Sequence, residues 1–79
     1  MTVYVLAIDA PHLDLRDAVT AHKTEESAKQ AAQNDHDLRR YTENLDRFSL
    51  SWTRDDHCAL ADDVALSVDY FVLTLEVGS

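Results

Sequence analysis

Two stretches at opposite ends of the chain, Thr2–Asp9 (TVYVLAID) and Ser67–Val77 (SVDYFVLTLEV), are apolar on both faces when read at the two-residue period of a strand. In the first, Val3, Val5 and Ala7 share one face and Tyr4, Leu6 and Ile8 the other; in the second, Val68, Tyr70 and Val72 oppose Phe71, Leu73, Leu75 and Val77. A strand covered on both faces belongs inside a sheet, so both are expected to be central and the two to be neighbours. With 79 residues, 46% of them apolar, there is material for one core and therefore one domain, residues 1–79.

Between these strands the pattern changes. Pro11 cannot donate to a ladder and turns Ala10 away from helix, so Ala10–Asp14 reads as a turn, and Asp17–His22 as a weaker strand near an edge. Thr24 is placed to cap a helix whose first turn holds Glu25 and Glu26. Ala28, Ala31, Leu38, Tyr41, Leu45 and Phe48 form its apolar stripe. Glu25/Lys29, Asp35/Arg39 and Glu43/Arg47 are acid-before-base pairs at i,i+4, and they extend the expected helix to about Arg47. Asn34–Asp37 is its weak point, where Asp37 is able to cap a second helix after a kink. Phe48–Thr53 alternates as a half-buried strand with Phe48, Leu50 and Trp52 on one face, and Arg54–His57 follows as a turn. Cys58–Leu60 fits a short returning strand, and Cys58–Val64 fits a helical turn equally well.

The expected fold is therefore α+β, one main helix packed on an antiparallel sheet of four or five strands, ββαββ or ββαβββ. One helix covers one face of such a sheet. The second face then calls for a homodimer, or for the Cys58–Val64 segment folded back over it.

Several chemistries are excluded by what the chain lacks. The single glycine, Gly78, leaves no glycine-rich phosphate loop and no dinucleotide fingerprint. The single cysteine, Cys58, rules out an internal disulfide and the CxxC metal and redox motifs, and favours a reducing, cytoplasmic setting. Val3–Ile8, the longest apolar run, is far below the roughly 18 residues of a bilayer span and follows no basic region, so neither a membrane span nor export is expected.

The remaining candidates for chemistry are weak. His57 and Cys58 are adjacent on an extended segment and point to opposite faces, which suits a small buried thiol beside an exposed histidine better than a nucleophile and its base. Asp55, Asp56, His57, Asp62 and Asp63 offer ligands to a hard cation, but their spacing matches no calcium loop, and neither a metal nor a cofactor is expected. His12, His22 and His36 lack the HxxxH spacing and read as solvent-facing. Tyr4, Tyr41, Trp52 and Tyr70 fall on strand or helix stripes without interleaved basic residues and read as core. The Asp55/Asp56 and Asp62/Asp63 doublets lie in polar segments where nothing raises a carboxyl pKa, so an enzyme is not expected.

Charge is the feature left over. Fifteen acids against seven bases give a net charge of −8, which repels nucleic acid and anionic membrane surfaces alike. From Thr53 onward six acids, Asp55, Asp56, Asp62, Asp63, Asp69 and Glu76, stand against Arg54 alone. Held on a rigid sheet, the first five form the expected partner-binding surface, a DNA mimic able to occupy a basic groove. In length, acidity, absence of catalytic signatures and the two aspartate doublets, the chain resembles the small acidic phage- and prophage-encoded anti-CRISPR proteins. That resemblance implies a cytoplasmic inhibitor in a bacterial host, blocking the basic DNA-binding surface of a type I CRISPR surveillance complex. The alternative is a homodimeric assembly or antitoxin-like protein that works through an apolar sheet face.

Overall fold

The computed structural model describes residues 1–11 and 18–78. Among them are five strands, β1 (Thr2–Asp9), β2 (Val19–His22), β3 (Thr53–Asp55), β4 (Cys58–Asp63) and β5 (Val68–Glu76), with one helix, α1 (Glu25–Thr42), between β2 and β3. A 3₁₀ turn, Val64–Leu66, joins β4 to β5. The strands form one antiparallel sheet in the order β2-β1-β5-β4-β3. This is the expected α+β fold in its ββαβββ form. The two doubly apolar strands pair along their whole length, from Thr2 opposite Glu76 to Asp9 opposite Asp69, with β5 at the centre of the sheet.

Leu6, Ala59, Ala61, Val68, Tyr70 and Val72 line the covered face and meet Ala28 and Ala32 of α1 together with Leu50. Alanines at the contact let the helix approach the sheet closely but bury little apolar area, so polar contacts supplement the packing. Tyr70 is wholly buried, and its hydroxyl donates to Asp35 Oδ2 at 2.7 Å, which also accepts from Arg39 Nε at 2.6 Å. Burial, followed by that carboxylate acceptor, pushes the Tyr70 hydroxyl well above its ordinary pKa.

The start of the helix is as expected: Thr24 Oγ1 accepts from Ser27 N–H at 3.0 Å, and Glu25 pairs with Lys29 at 3.9 Å as well as with Arg54. Its end and its buried stripe differ from expectation. The helix runs unbroken through 34–37 and stops at Thr42, because Asn44 takes the left-handed conformation (φ 60°). Asn44 N–H then donates to Tyr41 O and Leu45 N–H to Arg40 O, a Schellman ending. Glu43 and Arg47 therefore form no helical pair. The buried positions are Ala28, Ala32 and His36, while Leu38 and Tyr41 are 65% and 82% exposed. Tyr41 is thus a surface residue, and Leu45 and Phe48 lie beyond the helix.

Phe48–Trp52 is not a strand. Gln33 takes the place of a neighbouring strand: its Nε2 donates to Phe48 O at 2.9 Å and its Oε1 accepts from Leu50 N–H at 2.8 Å. This seats Leu50 in the core and leaves Phe48 43% exposed, with regular pairing beginning only at Thr53. Arg54–Asp55 belong to β3, and the turn is the two residues Asp56 and His57, with Asp56 left-handed (φ 49°), a conformation aspartate tolerates better than most residues. Cys58–Asp63 is a strand of the sheet, so it does not fold back over the second face. Of the expected turn at Ala10–Asp14 and strand at Asp17–His22, residues 12–14 and 17 lie outside the described residues. No described helix is long and apolar enough to cross a membrane.

Candidate protein-binding surface

Register decides which side chains share the second face of the sheet. Directly paired residues in an antiparallel ladder point to the same side. One row across the sheet reads Val19, Ala7, Phe71, Leu60 and Thr53; the next reads Ala21, Val5, Leu73, Cys58 and Asp55. Val3 opposite Leu75 continues the face beyond them. α1 lies on the other side, and Leu73 and Leu75 remain 36% and 48% exposed. Cys58 belongs to this face and is half-buried.

A third row bounds the apolar block at one end: Asp9, Asp69 and Asp62, in register on β1, β5 and β4. Like charges directly opposite each other cost stability. Among the described residues neither Asp62 nor Asp69 has a basic partner within ion-pair distance. Asp62 is exposed and Asp69 partly so, and both line a shallow groove of about 280 Å³ with Thr53, Leu60 and Phe71. Asp55 and Asp56 are exposed at the β3–β4 corner of the same sheet. Four of the five expected partner-binding aspartates are thus accessible on one structural unit. Asp9 joins them only through the β1–β5 register, and the alternation along Thr2–Asp9 that puts it on the face of Val3 and Val5 was the available signal.

Asp63 is a correction. It points to the covered face, is 5% exposed, and accepts from His36 Nε2 at 2.7 Å, Arg40 Nε at 2.9 Å, Arg40 Nη2 at 3.3 Å and Ala65 N–H at 3.1 Å. Burial alone raises its carboxyl pKa, but the bonds from His36, Arg40 and Ala65 outweigh burial and hold it below the ordinary aspartate value. A carboxylate so held accepts only, so His36 donates from Nε2. His36, expected in solvent, is 0% exposed, edge-on to Phe48 (4.8 Å, 73°), and its Nδ1 has no hydrogen-bond partner. This knot ties α1 to β4 and is structural.

The other candidates separate in space. His57 is exposed in the turn; His22, half-buried at the end of β2, contacts Thr20 Oγ1 at 2.8 Å and Ser27 Oγ at 3.3 Å. Tyr4 and Trp52 pack against the core. Asp55, Asp56, His57, Asp62 and Asp63 do not converge, and no three potential ligands gather anywhere among the described residues. In comparisons with known proteins, no family model matches the chain, and no curated protein or solved structure shows significant similarity to it.

Proposed function

We propose that the protein is a non-enzymatic inhibitor that docks its carboxylate-bearing sheet on a cationic surface of a nucleic-acid-handling protein and keeps nucleic acid off that surface. The observation that carries this reading is the cross-strand row Asp9, Asp69 and Asp62, continued at the β3–β4 corner by Asp55 and Asp56. Three carboxylates in adjacent register lower the stability of the sheet that holds them, and such local costs collect at working surfaces. A row of acids at strand spacing, about 4.8 Å, sets negative charge at intervals comparable to those of a phosphate backbone, and the sheet holds it without an ordering cost on binding.

The charge of −8 steers such a protein toward a basic groove and away from nucleic acid itself. In keeping with the resemblance to anti-CRISPR proteins, the partner in this reading is a type I CRISPR surveillance complex in the bacterial cytoplasm. The test is a competition assay between the protein and labelled target DNA for a purified type I surveillance complex. Wild type is expected to displace DNA, and the variant Asp55→Asn/Asp56→Asn/Asp62→Asn/Asp69→Asn to do so about tenfold less well, while Glu26→Gln/Glu43→Gln behaves as wild type. Equal inhibition by both folded variants, or no displacement by wild type, removes the proposal.

A further inference from the structure

We infer that the open face of the sheet packs on the same face of a second copy, forming a two-layer sandwich with the strands of the two copies running in opposite directions. This goes beyond the proposed function and does not rest on it. The apolar block covers four strands, each about 4.8 Å from the next, and three same-face positions along β1 and β5, each about 6.8 Å from the next. That is a square of roughly 20 Å, about 400 Å² in projection and more along the side chains. Two such faces remove on the order of 1,000 Å² from water, the level at which specific interfaces begin and one consistent with micromolar association. Two sheet faces of the same twist pack at about 10 Å, their strands within about 30° of alignment, with side chains interdigitated.

Charge selects between the two ways of making this sandwich with twofold symmetry. An axis parallel to the strands would lay the row Asp9, Asp69, Asp62 over its own copy, three facing pairs of carboxylates about 10 Å apart. An axis across the strands, along the row of Val5, Leu73, Cys58 and Asp55, sends the two rows of Asp9, Asp69 and Asp62 to opposite ends of the sandwich, outside the apolar contact, and leaves one facing carboxylate pair, Asp55 and its own copy at the β3 edge, in place of three. It places Leu73 against its own copy at the centre. It also brings Cys58, the only cysteine, opposite its own copy at about the sheet spacing, too far for a disulfide and within reach of a short bis-maleimide. Each copy carries −8, so association is expected to strengthen as salt rises, the opposite of binding to a cationic partner.

Sedimentation equilibrium on the full chain at tens of micromolar, at about 0.1 M and about 0.5 M salt, reads the state directly. The expected result is a species of twice the 8.9 kDa chain mass, more populated at high salt, with a covalent dimer formed by bis-maleimide at Cys58. Leu73→Glu, at an exposed position, should keep the circular dichroism spectrum, raise the dimer dissociation constant about tenfold or more, and slow formation of the crosslink. A monomer at both salt concentrations overturns the inference. So does a dimer that gives no Cys58 crosslink. Both results come from the wild-type chain and need no partner protein, so they leave the proposed function untouched.

Discussion

At Asp63 the carboxylate faces donors from His36, Arg40 and Ala65, and an amide in its place would turn an N–H₂ toward at least one of them. Asp63→Asn is therefore expected to destabilise the protein by about 3 kcal/mol, since it leaves Arg40 and His36 without their anion. Asp62→Asn, one position along, should change stability by less than about 0.5 kcal/mol and in the stabilising direction, because it relieves the facing charge on Asp69. Urea denaturation followed by circular dichroism separates the two. The pH dependence has a definite sign. The Asp63 pKa is lower folded than unfolded, so its contribution is full above the ordinary aspartate value of 3.8 and is lost as pH falls through that value toward the folded one. The stability difference between wild type and Asp63→Asn should accordingly shrink below about pH 4. The sequence alone shows two adjacent aspartates; only strand alternation with Ala59 and Ala61 assigns one to the covered face, and the partner His36 lies 27 positions away.

The elements differ in how much of each was legible. Thr24 before Glu25 and Glu26 announced the start of α1, because capping is a contact between residues three apart. Acid-base spacing continues through Arg47, but Asn44, at a positive φ, ends the helix first. Asn44→Gly should be neutral or slightly stabilising and Asn44→Ala should cost about 1 kcal/mol, measured by thermal unfolding. Phe48–Thr53 alternates as a strand does, but the Phe48 carbonyl and the Leu50 N–H bond to the Gln33 side chain, 15 residues away at Phe48, and pairing with a strand begins at Thr53. Gln33→Leu leaves the Leu50 N–H and the Phe48 carbonyl without those partners, and should lower stability by about 1–2 kcal/mol while leaving the sheet intact by hydrogen exchange.

For the whole molecule, the net charge of −8 is borne by 79 residues, and its self-repulsion is relieved by counter-ions. The thermal midpoint is therefore expected to rise by a few degrees between low and moderate salt, for wild type as for the quadruple aspartate variant, but less for the variant because it carries four fewer charges. A salt response equal in the two proteins would mean that the aspartates of β3, β4, β5 and the β3–β4 turn contribute no net repulsion. The measurement also bears on the proposed function, since the repulsion removed is that of the surface proposed to meet a basic partner.

The sequence determined what depends on near neighbours and on alternation: two strands apolar on both sides, their central place in the sheet, the capped helix start, the α+β class and the excess of acid. These follow from period and local hydrogen bonding, which any chain with these residues carries into whatever fold it adopts. Tertiary structure decided the rest. Register between β1, β5 and β4 brought Asp9, Asp69 and Asp62 into one row, and the packing of α1 on the face that carries Ala59, Ala61 and Asp63 buried Asp63 against His36. Such placements depend on contacts between residues far apart in the chain, where a shift of one residue in register exchanges the two faces of a strand.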